Sequence, residues 1–222
     1  MTAIDTIPTV SQTPFDPETD PIAVCLTELE LRKRHAPFPE LWDLRHNELC
    51  VASLALDQTS ATEGKLGVNR TIFPNLRPGM KAGFLADGYL AYGPANPGDY
   101  LVVQLLVFEC DRDIRRFGED VDELMKSKAA ELGLGLLAAN PSHAAAVTLL
   151  RELARATISM LKRNRDDHLA SVELSLLRGT DVPYQVNRSF TTGNEYVGMS
   201  MAVKSLRQSN HQGTPVQPLT LL

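Results

Sequence analysis

Paired cysteines, an excess of basic charge and long apolar stretches are all missing from this chain, and each absence excludes a class of protein. The three cysteines, Cys25, Cys50 and Cys110, are odd in number and far apart. Such spacing supplies neither a zinc knuckle nor the framework of a disulfide-stapled scaffold. All three sit in or at the end of apolar runs, so the expectation is buried, reduced thiols acting as small hydrophobes, as in a reducing compartment. The formal net charge is −5 and the isoelectric point near 5.6. A nucleic-acid surface needs clustered lysine and arginine to displace counterions from phosphates, so that class of partner is not expected. No run approaches the roughly eighteen apolar residues that span a bilayer. The opening residues, Met1 to Thr6, carry no basic region leading into an apolar stretch, which argues against a secretory leader and for a cytoplasmic protein.

Familiar catalytic patterns are equally scarce. Gly133-Leu-Gly135 lacks the third glycine and the preceding strand of a phosphate-cradling loop. Neither a Gly-x-Ser-x-Gly elbow nor a His-Glu-x-x-His zinc motif is present. His35, His46, His143, His168 and His211 are isolated from one another in the chain. The expectation is therefore a protein that is not an enzyme and needs no cofactor.

What the chain does contain is one very apolar strand followed by a helical stretch. Tyr100 to Glu109 (YLVVQLLVFE) is the most hydrophobic run, and it ends in Cys110-Asp-Arg-Asp113. From Ile114 to Arg165 the period changes to three- and four-residue steps, through Ile114, Phe117, Val121, Leu124, Met125, Lys128 and Leu132. Asn140-Pro141 restarts the pattern, with Asn140 as cap and Pro141 at the first helical position. His143, Val147, Leu150, Ala154, Ile158 and Leu161 then form one face. A second strand, Ser171 to Leu177, follows Asp166-Asp167-His168. The spacing predicts two strands paired across an inserted helical hairpin over 114–165.

Elsewhere Ile22–Leu31 alternates with a change of phase that predicts a bulge or a switched face. Glu48–Leu56 reads as a strand ending at Asp57, and residues 57–70 read as a long mobile loop. Asp87-Gly88 between two short apolar runs carries the signature of a tight hairpin. Tyr196–Val203 alternates cleanly as a half-buried strand. The fold expected is mainly β: an antiparallel β-sandwich of about seven to eight strands with an inserted helical hairpin. It would occupy 21–206, between a mobile arm over 1–20 and a loosely attached tail over 207–222. The only tryptophan, Trp42, reads as a core plug, and Arg32-Lys33-Arg34 as a solvated strand end.

The insertion is electrically neutral, with ten acidic and ten basic residues over 111–168, so it is no electrostatic lure. Its run Leu132-Gly-Leu-Gly-Leu-Leu-Ala-Ala139 is apolar almost all round. Burial against the sandwich or the second helix is the first explanation, and a subunit contact the second. This points to a protein-interaction or self-assembly module.

One constellation carries site chemistry. Pairing of the two strands would bring Asp111 and Asp113 near Asp166 and Asp167, and Asp57 could reach the same rim from another strand end. A hard cation such as Ca²⁺ takes six to eight oxygens, which loop carboxylates at one sandwich end can supply. Phe108-Glu-Cys-Asp-Arg-Asp113 resembles the acidic loop that C2 domains carry after a core strand, and Asn194-Glu-Tyr-Val-Gly198, leading to Leu206, is similar to that family's Asn-Asp-Phe-Ile-Gly turn. The resemblance implies calcium-dependent binding to a membrane lipid surface or a protein, with Asp57 as a candidate for the first calcium loop. In C2 domains the two segments are nearly contiguous, whereas here some eighty residues lie between them.

Overall fold

The computed structural model describes residues 14–33, 47–82, 84, 88–110, 119, 123, 126–163 and 167–206. Among them are nine strands in two antiparallel sheets and three α-helices, a β-sandwich with a helical insertion. The first sheet is built on β1 (Ile22–Leu31), which pairs on one side with β9 (Val197–Ser205), itself paired with β8 (Ser189–Gly193). The second has the order β3-β2-β6-β7, with β2 at Asn47–Asp57, β3 at Gly67–Leu76, β6 at Tyr100–Cys110 and β7 at Asp167–Leu177. The register shift expected in β1 falls between Leu26 and Glu28.

The strand β6 shows why the sequence is apolar without alternation. It lies between β2 and β7, and both of its faces are covered. Leu101, Val103, Leu105 and Val107 point into the core between the sheets, with Leu49 and Val51 of β2 and Val24, Met199 and Met201 of the opposite sheet. Tyr100, Val102, Leu106 and Phe108 point the other way, into a second core shared with the helices. These are α2 (Lys128–Ala139) and α3 (His143–Arg163), laid over the outer face of the β2-β6-β7 sheet. The chain therefore stacks in three layers, sheet, sheet and helix. The hairpin does not stand off one end of the sandwich; Ala146, Leu150, Leu153 and Ala154 of α3 are buried against the sheet.

Four local expectations are corrected. Residues 57–70 are not a loop: Asp57 caps a short helix α1 (Gln58–Thr62), and β3 begins at Gly67. The turn-forming residues there are serving a helix cap and a strand start. The strands on either side of Asp87-Gly88 do not pair with each other as a hairpin, and Asp87 itself lies outside the described residues. β4 (Met80–Ala82) and β5 (Tyr89–Ala95) both pair with β1 and lie end to end along it, Ala82 opposite Leu29 and Tyr89 opposite Leu26. Gly88 has φ of +103°, and a Cβ there would sit 2.3 Å from the Leu26 carbonyl oxygen, so its glycine answers a close backbone approach. Asn140 ends α2 rather than starting α3, while Ser142 Oγ accepts from the Ala145 amide at 3.3 Å and caps α3. Finally, Cys25 is buried as expected, but Cys50 is disulfide-bonded, so the expectation of uniformly reduced thiols fails at Cys50.

The arm expected over 1–20 is, from Pro14 onward, a docked turn. The Tyr184 hydroxyl donates to the Pro17 carbonyl, and the Asn96 side-chain amide donates to the carbonyls of Pro17 and Asp20. Trp42, Arg34 and the tail over 207–222 lie outside the described residues. Among the described residues no helix is long and apolar enough to cross a membrane.

Candidate functional site

The strand pairing that the carboxylate constellation requires is present. β6 and β7 pair antiparallel from Tyr100 opposite Leu177 to Glu109 opposite Asp167. The two ends of the helical insertion therefore meet, with Asp167 beside Glu109 at the far end of β6. Asp111, Asp113 and Asp166 lie outside the described residues.

Asp57 does not share that rim. It pairs with Leu101 at the start of β6, eight residues from Glu109, which separates it from Asp167 by about 26 Å at some 3.3 Å per residue. Antiparallel pairing is the reason, because β2 ends where β6 begins. The carboxylate of Asp57 is also engaged: Oδ1 accepts from the Ser60 amide at 2.6 Å, and Oδ2 accepts from the Tyr92 hydroxyl at 2.7 Å in a buried setting. Among the described residues no group of three or more His, Cys, Asp or Glu side chains could hold a metal ion.

The turn Asn194–Gly198 is held by Asn194 itself. Its Oδ1 accepts from the amides of Tyr196 and Val197, and its Nδ2 donates to the Leu169 carbonyl on β7. Arg32 donates to the Asn194 carbonyl and lies against Gly198, where a Cβ would meet its guanidinium at 2.7 Å. Lys33 pairs with Glu195 and sits 5.7 Å from the centre of the Tyr196 ring. The basic strand end is thus tied to the turn that joins β8 to β9.

The helical layer is where the molecule presents something unusual. α3 is fastened across β7 by polar contacts: Arg151 donates through Nε and Nη2 to both carboxylate oxygens of Glu173, at 2.7 and 2.8 Å, and His143 Nε2 lies 2.6 Å from Ser175 Oγ. Glu173 holds the Arg151 guanidinium protonated by hydrogen bond and charge, raising its pKa. The side of α3 turned to solvent is polar or small, with Ala144, Thr148, Arg151, Glu152, Arg155 and Ser159 exposed.

α2 is arranged differently. Ser127 caps it, accepting from the Ala130 amide, and Ala130 and Leu137 bury against the sheet and α3. On the opposite side, Leu132 is 63% exposed and Leu136 is 75% exposed. Between them Gly135 has nothing within 4 Å of where a Cβ would stand, and Ala139 continues the same stripe. The periodicity read from the sequence put Leu132 on a buried face, and the structure places it in solvent. A run that is apolar all round does not say which side meets the core; here Gly133, packed against Leu149, and Leu137 decide it. Four large apolar side chains are exposed among the described residues, Met80, Leu132, Leu136 and Leu177, and only Leu132 and Leu136 are neighbours one helical turn apart.

Comparison of the chain with family models, with curated proteins and with solved structures returns no match, so the reading of its function rests on these features alone.

Proposed function

We propose that the chain is a non-catalytic interaction module that binds a protein through the solvent face of α2. The observation that carries this reading is the pair Leu132 and Leu136, more than half exposed on a helix whose other side is packed. Burying a leucine stabilises a complex by about 1.5–3 kcal/mol relative to leaving it in water, so two adjacent ones supply an anchor. The helix is held from behind, since Ala130 and Leu137 bury against the sheet and α3. A helix offering residues at i, i+3 and i+4 is a recurring way to fill a groove or pair with another helix.

A photo-crosslinking residue placed at position 136 tests this in cells. Adducts are expected at position 136 and not at position 152 on the polar side of α3. Equal labelling at both positions, or none at either, would sink the reading.

The calcium-responsive, lipid-binding alternative keeps one supporting observation, the meeting of Glu109 and Asp167 where the insertion departs from the sheet. It has to do without Asp57.

A further inference from the structure

Resting on that interaction reading, we infer that the occupant of the α2 face is a second copy of this chain, its α2 packed antiparallel about a two-fold axis near Gly135. Shape is the first argument. The exposed stripe has two large residues, Leu132 and Leu136, and two small ones, Gly135 and Ala139. With Gly135 facing its counterpart, each leucine of one copy meets the hollow at Gly135 and Ala139 of the other. The same patch then serves both partners, as a two-fold contact demands. The empty space over Gly135 lets the two backbones approach closely.

Charge is the second argument. Lys126 and Lys128 are exposed at the start of α2, where the helix dipole disfavours cations, and the last turn of α2 has no basic residue to complement its carbonyl end. Each defect answers the other in an antiparallel pair. Lys128 lies seven residues before Gly135, and Asn140 five residues after it, so the lysines of one copy fall beside the carbonyl end of the partner helix. Glu131, on the margin of the stripe, is the one acidic residue of the first turn.

Area sets the strength. A helix of 12 residues is about 18 Å long, and a strip of that length and about 10 Å wide falls short of the roughly 800 Å² per partner of a standard interface. The pair is therefore concentration-dependent rather than obligate.

Sedimentation equilibrium of the full chain over about 10 to 500 µM tests the inference. A monomer–dimer equilibrium is expected in that range. Leu136→Asp is expected to weaken it at least tenfold, and Gly135→Leu, which adds apolar surface but fills the axis, is expected to weaken it similarly. Unspecific stickiness would instead be strengthened by Gly135→Leu, and that result overturns the two-fold arrangement. Circular dichroism and thermal melting of each variant separate lost association from lost folding; an unfolded Leu136→Asp is replaced by Lys128→Glu, expected to cost several-fold. A wild-type chain that stays monomeric throughout overturns the second copy as occupant. The interaction reading would then still be judged by the mass of the position-136 adduct, which equals two chains only if this inference holds.

Discussion

The hydroxyl of Tyr92, on β5 of one sheet, donates to Asp57 Oδ2 at the end of β2 in the other sheet, over 2.7 Å and in a buried setting. Asp57 thus does two jobs at once, capping α1 through Oδ1 and joining the two sheets through Oδ2. Replacing Asp57 with alanine removes the cap, at about 1 kcal/mol, and orphans a buried phenol, at about 1–3 kcal/mol. The expected loss is about 2–4 kcal/mol in urea unfolding. Tyr92→Phe is expected to cost about 1–3 kcal/mol, and the double variant less than the sum of the two. Strict additivity would show that the pair does not couple.

Burial of Tyr89 raises its pKa to about 12, with the Ser53 hydroxyl pulling slightly the other way, and burial together with the Asp57 charge raises Tyr92 further. A phenol whose pKa is raised on folding contributes stability that is complete below its unfolded value near 10 and is lost as pH climbs toward the folded one. Between pH 10 and 12 the unfolded chain holds fewer protons than the folded one, so stability falls. A drop of about 2–3 kcal/mol for Tyr89 alone is expected across that window. Tyr89→Phe should flatten the slope, and an unchanged slope in that variant would refute the assignment.

Two glycines should respond in opposite directions to the same substitution. At Gly88 the backbone is left-handed and a Cβ would lie 2.3 Å from the Leu26 carbonyl, so Gly88→Ala is expected to cost about 2 kcal/mol or more. Gly135 sits in a helix with open space around it, and Gly135→Ala is expected to stabilise the monomer by about 0.5–1 kcal/mol. Melting temperatures that move the same way in both would contradict the geometry.

Calcium offers a test of the sheet register. Because Asp57 stands about 26 Å from Asp167 along the sheet, Asp57→Asn should leave unchanged any heat the folded protein gives on titration with Ca²⁺. Selective loss of that heat in Asp57→Asn would mean that Asp57 does take part in binding.

The two-sheet class, the apolar strand at 100–109, the second strand at 171–177 and the helical insertion between them were legible in the sequence. Each of these is a matter of local period: β6 is apolar throughout because both its faces are covered, and β9 alternates through Val197, Met199, Met201 and Val203. It could not reveal β3 or α1, whose residues look like turn formers, nor the engagement of Asp57 with Tyr92, thirty-five positions away. That the hairpin folds over the sheet, and that Leu132 and Leu136 face outward, follows from packing between elements distant in the chain. Periodicity shows that a helix has an apolar side, but α2 is apolar almost all round, so which side is buried depends on where the sheet and α3 lie against it. The same limit applies to Asp57, since antiparallel pairing places the end of one strand beside the beginning of the next.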